Sequence, residues 1–144
     1  MSTVNAVLSV KGSQVAAIGK AETVLDAATR MNERGIGCLV VTDGETVIGI
    51  FTERDVLRRV VAAKVDPAQT LVGDVMTAPV ACCKPDTTLA ECRAVMTEKR
   101  IRHLPVVEKE RLCGIVTISD LMAREVGEHQ ATIEYLQSYI VGDR

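Results

Sequence analysis

The chain has 144 residues, of which 47% are hydrophobic, yet it holds only one Phe, two Tyr and no Trp. This composition disfavours a disordered chain or a coiled coil and predicts an aliphatic α/β core. The net charge of −2 gives no electrostatic basis for binding nucleic acid or an anionic membrane. We expect a soluble, cytoplasmic protein, because residues 1–13 lack the pattern of a signal peptide and no apolar run is long enough to span a bilayer.

The first half of the chain predicts a strand, a helix, a hairpin and a second helix. Apolar residues at helical spacing follow Thr23, a favourable N-cap, and stop at Gly35, a favourable helix end. Asp66-Pro67 interrupts the second helical pattern. The predicted elements are a strand at 15–18, a helix between Thr23 and Gly35, a hairpin over 38–51 and a helix over 55–61.

The second half repeats this order of elements. Without gaps, 22–61 and 87–126 share thirteen identities in forty positions, which indicates a tandem duplication. Because a unit of about fifty residues buries too little surface alone, we expect the copies to share a core, with pseudo-two-fold symmetry and two equivalent clefts. The repeated elements are a strand at 80–83, a helix from Thr88, a hairpin over 101–116 and a helix from Asp120. The predicted division is repeat 1 over 7–64, a linker over 65–73, repeat 2 over 74–129 and a C-terminal amphipathic helix over 130–144.

Each hairpin ends in the same pattern: a glycine, two apolar residues, a threonine and, three residues later, an aspartate. The two copies are Gly49–Asp55 and Gly114–Asp120. An Asp in the first turn of a helix can accept two hydrogen bonds from the hydroxyls of a ribose, next to amides that favour phosphate. The alternative is structural, with Thr as N-cap and Asp as its capping partner. One residue can serve both purposes.

The five cysteines predict neither a disulfide framework nor a metal site, since their number is odd and no pair has the C-x-x-C spacing. Cys38 and Cys113 fall in apolar, strand-like runs, and Cys92 falls on the apolar face of a predicted helix. We therefore expect reduced, buried thiols. A redox switch at the adjacent Cys82 and Cys83 is the alternative.

The repeated strand-helix-strand-strand-helix unit with these endings resembles the cystathionine-β-synthase (CBS) domain, and the pair resembles a Bateman module. The segments Asp74–Thr77 and Ile101–Val107 also match that family. The resemblance implies an α/β fold of the α+β type, with two β-α-β-β-α repeats over about residues 7–129. It also implies a non-catalytic regulatory module that binds AMP, ADP, ATP, NAD or S-adenosylmethionine between the repeats. Such modules commonly form homodimers and act on a partner protein, which here is unknown.

In related modules, one ligand takes its ribose-binding Asp from one repeat and an adenine slot from the first strand of the other. Carried over to this chain, the first cleft consists of Thr52, Arg54, Asp55, Val80, Ala81, Cys82, Arg102 and His103. The second cleft consists of Gln14, Val15, Ala16, Ala17, Thr117, Ser119 and Asp120. Arg102-His103 matches the family's phosphate-contacting pair, whereas the first repeat has Gly37-Cys38 there, so the first cleft is the expected phosphate site. The alternative for Arg102 and His103 is a solvated strand edge.

Catalytic and metal motifs are missing from the sequence, which contains no Walker loop, H-E-x-x-H or G-x-S-x-G. His103 and His129 have no evident nucleophile partner. We therefore expect no enzymatic activity, no catalytic cofactor and no metal. Two alternatives remain: a structural dimerisation module without a ligand, and an accessory to an enzyme of the inosine-monophosphate-dehydrogenase type.

Overall fold

The protein folds into two tandem repeats of strands and helices, and the computed structural model describes residues 2–124. The strands are β1 (Ala17–Gly19), β2 (Cys38–Asp43), β3 (Thr46–Thr52), β4 (His103–Glu108) and β5 (Arg111–Thr117). The helices are α1 (Val4–Lys11), α2 (Val24–Arg34), α3 (Glu53–Asp55), which continues into a π-helix (Val56–Val61), α4 (Val72–Val75), α5 (Leu89–Lys99) and α6 (Ile118–Ala123). The predicted α+β class is confirmed, and the predicted C-terminal helix over 130–144 lies outside the described residues.

The sheets of the two repeats differ by one strand. The first repeat has the order β1-β2-β3, whereas the second has only the antiparallel pair β4-β5. The predicted strand at 80–83 is therefore wrong, and this segment makes a single parallel bridge to β4. In the first repeat, the Val40 amide donates to the Ala16 carbonyl at 3.1 Å. The residue equivalent to Val40, 65 positions later, is Pro105, which has no N–H to donate, so the pairing stops.

Threonine hydroxyls fix where the main helices begin. In each case Oγ1 accepts a hydrogen bond from the backbone amide three residues later, which satisfies one of the free amides of the first turn. The four capping residues are Thr23, Thr52, Thr88 and Thr117. At the other end of α2, Gly35 adopts φ 62° as its C-cap, a conformation that glycine reaches at little cost.

Each repeat is completed by the short helix that precedes the other repeat in the chain. Val4, at the start of α1, donates its amide to the Thr87 carbonyl of the second repeat at 2.9 Å. Val72, at the start of α4, donates to the Glu22 carbonyl of the first repeat at 2.8 Å. Both valines are fully buried, and burying each side chain stabilises the fold by about 2 kcal/mol. This exchange holds the two repeats together.

The buried residues form two clusters rather than the single common core expected from the sequence. One cluster belongs to the first repeat and contains Leu39, Phe51 and Val72. The other belongs to the second repeat and contains Val4 and Leu104. Two cores are feasible because the exchanged helices supply the apolar surface that each small repeat lacks by itself.

Candidate functional site

The first candidate site begins where β3 ends, at Thr52 and Asp55. Oγ1 of Thr52 accepts a hydrogen bond from the Asp55 amide at 3.3 Å, and Oδ2 of Asp55 accepts one from the Thr52 amide at 3.0 Å. An equivalent capping box joins Thr117 and Asp120. The structural role predicted as the alternative, helix capping, is therefore present at both strand-to-helix corners, Thr52–Asp55 and Thr117–Asp120. It does not exhaust the Asp oxygens, because each carboxylate offers about four lone-pair positions.

Asp55 is the only charged residue among residues 2–124 that is buried, with 4% of its surface exposed. Oγ1 of Thr77 donates to Oδ1 of Asp55 at 2.8 Å, and Nε of Arg59 lies 3.7 Å from the same oxygen. Thr77 is itself held by a bridge to Ile50 in β3. These contacts compensate the buried charge and fix the direction of the carboxylate.

A cavity of about 920 Å³ opens beside Asp55 between the two repeats. Its walls include all but one of the residues predicted for the first cleft, namely Thr52, Arg54, Asp55, Val80, Ala81, Arg102 and His103. Cys82 is the exception, and its side chain is exposed outside the cavity. The structure thus brings the helix corner of one repeat together with the 80–81 segment and the basic pair of the other.

The cavity also has walls that sequence reasoning did not assign to it. Arg58 and Arg59 line it, and their spacing of three and four residues from Asp55 on a helical segment is a signal that could have found them. Lys99 and Arg100, at the end of α5, line it too. The other unpredicted lining residues are Gly37, Ile50, Glu53, Thr77, Pro79, Ile101 and Ile118.

The second predicted cleft is not brought together in the same way. Nζ of Lys11, at the end of α1, lies 2.7 Å from Oδ2 of Asp120 and also donates to the Ile115 carbonyl at 3.0 Å. Thr117 and Ser119 line the cavity of the first cleft instead. Of the predicted second set, Gln14, Val15, Ala16, Ala17 and Asp120 do not line that cavity.

The backbone carbonyls of the predicted second adenine slot already accept hydrogen bonds. The Ala16 carbonyl accepts from the Val40 amide at 3.1 Å, and the Ala17 carbonyl accepts from a guanidinium nitrogen of Arg30 at 2.8 Å. In the first cleft, no hydrogen bond from the described residues reaches the carbonyl of Ala81, the equivalent of Ala16, because Pro105 stands where Val40 would donate. The two slots therefore differ in backbone hydrogen-bonding capacity.

His103 is half-buried on the wall of the cavity, at the first position of β4. Burial, with the charges of Arg102 and Lys11, lowers the pKa of its imidazole below the ordinary 6.5, while Glu53 and Asp120 act in the opposite direction. His103 is therefore mostly neutral at neutral pH, and it contributes a hydrogen-bonding imidazole to the cavity rather than a full positive charge.

The thiols are unpaired, as expected, but they are not all buried. Cys38, Cys83 and Cys92 are buried, Cys113 is half-buried, and Cys82 is exposed, which corrects the prediction for that residue. Burial, with a smaller contribution from the Asp55 charge, raises the pKa of Cys38 to about 12. A hydrogen bond to Cys92, followed by burial, raises the pKa of Cys83. These shifts keep the thiols of Cys38 and Cys83 protonated and unreactive.

Two other features are absent from residues 2–124. No helix in this range is long and apolar enough to cross a membrane. The same residues contain no cluster of three or more His, Cys, Asp or Glu side chains arranged to hold a metal ion.

Comparison with known proteins gives the class that this fold and site define. The model of the CBS domain matches the chain twice, over residues 9–62 and 72–127. The chain therefore belongs to the CBS-domain family and carries two tandem copies of the domain. CBS domains are regulatory modules and are not catalytic in themselves, so the chain is a regulatory CBS-domain module.

Individual relatives support this assignment. A putative signal-transduction protein with CBS domains from Burkholderia ambifaria is 39% identical, with a TM-score of 0.84 over 90% of this chain and 97% of that one. The mitochondrial CBS domain-containing protein CBSX3 of Arabidopsis thaliana is 35% identical over 84% of this chain, which spans only 61% of that relative. A hexameric CBS-CP12 protein from bloom-forming cyanobacteria is 26% identical, with a TM-score of 0.71 over 88% of this chain and 78% of that one.

Proposed function

We propose that this protein senses an adenine nucleotide, such as AMP, ADP, ATP or NAD, in the cavity between its repeats and catalyses no reaction. The observation that carries the proposal is the convergence of Asp55 from the first repeat with Ala81 and Arg102 from the second around one cavity of about 920 Å³. That volume lies near the upper end of the range typical of small-molecule sites.

The cavity offers a partner for each part of a nucleotide. The Asp55 carboxylate, fixed by Thr77, accepts hydrogen bonds from the ribose hydroxyls. The guanidinium of Arg102 attracts phosphate. The Ala81 carbonyl, which has no donor among the described residues, accepts a hydrogen bond from the amino group of adenine.

One nucleotide binds per chain in this proposal. In the second cleft, the Lys11 ammonium lies on the carboxylate that would take the ribose, and the Ala16 and Ala17 carbonyls are already paired. A ligand there would have to displace an ion pair and two hydrogen bonds, one from the Val40 amide and one from the Arg30 side chain, before gaining its own contacts.

The module acts as a homodimer that regulates another protein. Leu57 and Met122 occupy equivalent places after the two Asp corners, and they are 62% and 61% exposed. Two large apolar side chains on the outer surface favour association with a second copy. A nucleotide that contacts both repeats changes the preferred angle between them, and the partner protein responds to that change.

The decisive experiment compares Asp55→Asn with Asp120→Asn by thermal denaturation in the presence of AMP, ADP, ATP or NAD. Binding to the folded state raises the melting temperature of the wild type. Asp55→Asn should abolish most of that rise, whereas Asp120→Asn should retain it, although both substitutions alter the same kind of capping box. No rise with any of the four nucleotides would refute the proposal and favour a dimerisation module without a ligand.

A further inference from the structure

The walls of the cavity carry far more positive charge than the chain as a whole. Among the described residues that line it, six side chains are basic, namely Arg54, Arg58, Arg59, Lys99, Arg100 and Arg102, and two are acidic, Glu53 and Asp55. This part of the lining therefore has a formal charge of +4, from six minus two, in a chain whose net charge is −2. So strong a local excess of one sign attracts an oppositely charged ligand.

Within residues 2–124, most of this positive charge is not compensated by acidic groups. Arg59 lies 3.7 Å from Asp55, and this contact accounts for one basic and one acidic group. Among the described residues, no carboxylate lies within ion-pair distance of the other five basic groups. Arg54 donates to the backbone carbonyl of Arg100 at 3.4 Å, so a basic side chain of the first repeat contacts the basic segment of the second. Like charges on the walls of one cavity repel one another, and a bound anion relieves that repulsion.

We propose that the cavity selects a nucleoside triphosphate or diphosphate over a nucleoside monophosphate and over NAD. This inference rests on the proposed function and names the ligand class of the same site. A triphosphate carries the most negative charge, whereas AMP has a single phosphate and the two phosphates of NAD are both singly charged. Arginine binds phosphate through two parallel hydrogen bonds, so each added phosphate has further guanidinium donors to contact.

The basic residues come from both repeats, so the length of the ligand's phosphate chain matters as well as its charge. Arg54 and Arg58 come from the first repeat, and Lys99, Arg100 and Arg102 come from the second. A single phosphate placed at Arg102 satisfies one side of the cleft, while a longer chain reaches cations on both sides. The energetic linkage between repeats, and hence the regulatory signal, is then larger for the triphosphate than for the monophosphate.

The test measures dissociation constants by calorimetry for ATP, ADP, AMP, NAD and inorganic tripolyphosphate at one ionic strength. We expect ATP to bind at least about ten-fold more tightly than AMP or NAD, which is the effect of one additional charge-assisted hydrogen bond. Lys99→Ala should raise the dissociation constant of ATP about ten-fold and leave that of AMP nearly unchanged. Lys84→Ala, which removes an exposed lysine of the same repeat outside the cavity, should change neither.

The outcomes separate the two proposals. AMP or NAD binding as tightly as ATP would overturn the selection for longer phosphate chains and leave nucleotide sensing intact. Binding of tripolyphosphate without any nucleotide preference would support the phosphate selection and refute the adenine part of the proposed function. Equal losses of ATP affinity in Lys99→Ala and Lys84→Ala would also overturn the inference, because they would show a general charge effect.

Discussion

Nζ of Lys11 lies 2.7 Å from Oδ2 of Asp120, the residue that corresponds in the second repeat to Asp55 in the first. This ion pair makes the two halves of a duplicated chain chemically unequal. Asp55 meets a threonine hydroxyl and an arginine at the edge of a cavity, while Asp120 meets an ammonium carried by the N-terminal helix. A lysine in α1 and a threonine that follows α4 thus distinguish two aspartates that have the same capping geometry.

The Lys11–Asp120 pair should make a measurable contribution to stability. Its side chains are 30% and 20% exposed, so solvent screens the attraction only in part. A double-mutant cycle with Lys11→Ala and Asp120→Asn, measured by urea denaturation, should give a coupling of about 0.5–1 kcal/mol. The matched control is the more exposed Lys20–Asp43 pair, whose coupling should be smaller. A coupling no larger than that of the control would show that the pair does not persist in solution.

Alanine at the two equivalent glycines should have unequal effects. A Cβ at Gly49 would lie 2.9 Å from the backbone oxygen of Thr77 and 2.6 Å from Sδ of Met76. A Cβ at Gly114 would meet only the end of the Leu8 side chain, at 2.7 Å, which can rotate away. Gly49→Ala should lower the free energy of unfolding by about 2–3 kcal/mol, and Gly114→Ala by about 1 kcal/mol. The reverse order in urea denaturation would contradict the packing described around Thr77.

His103 should make stability depend on pH in a defined direction. Its pKa in the folded protein is below 6.5, chiefly because the imidazole is buried, so the unfolded chain binds a proton more readily as pH falls. The free energy of unfolding should therefore be unaffected by His103 above pH 6.5 and should decrease as pH drops through the folded pKa. His103→Gln should flatten this part of the profile. Lys11→Ala should raise the pKa of His103 in NMR titrations, since Lys11 is one of the charges that lower it.

Cys82 should be the first thiol to react under native conditions. It is exposed, whereas Cys38, Cys83 and Cys92 are buried. Partial burial raises the pKa of Cys82, so its labelling by iodoacetamide should be slower than that of free cysteine. Peptide mass spectrometry over time measures the order. Saturating ATP should not protect Cys82 from labelling, because the residue does not line the cavity. Protection by ATP would contradict this expectation and support the sequence prediction that Cys82 belongs to the first cleft.

Pro105→Val should weaken ATP binding, because it adds a backbone hydrogen bond to the Ala81 carbonyl. A valine at this position can donate its amide to the Ala81 carbonyl, as Val40 does to Ala16. We expect slow hydrogen exchange at the new amide and an ATP affinity reduced several-fold, while binding of tripolyphosphate is unchanged. Unaltered ATP affinity together with a protected amide at residue 105 would show that the Ala81 carbonyl does not contact adenine.

The sequence by itself determined the duplication, the family and the positions of the helix corners. Thr52 and Asp55, and their copies Thr117 and Asp120, specify a helix start through interactions confined to three residues. Local rules of this kind depend only on residues that are neighbours in the chain. Apolar periodicity placed α2 and α5 for the same reason, because one helical face must be buried whatever lies opposite it.

Only the tertiary structure decided which partners distinguish Asp55 from Asp120. Lys11 and Asp120 are separated by 109 positions in the chain, and no spacing rule relates them. The failure of the strand at 80–83 likewise came from the residue across the ladder, Pro105, rather than from the segment's own composition. Positive charge in the cavity comes from both repeats, since packing places Arg58 on the walls of the same cavity as Lys99 and Arg100. Which carboxylate is available to a ligand therefore depends on long-range packing, which local sequence patterns do not encode.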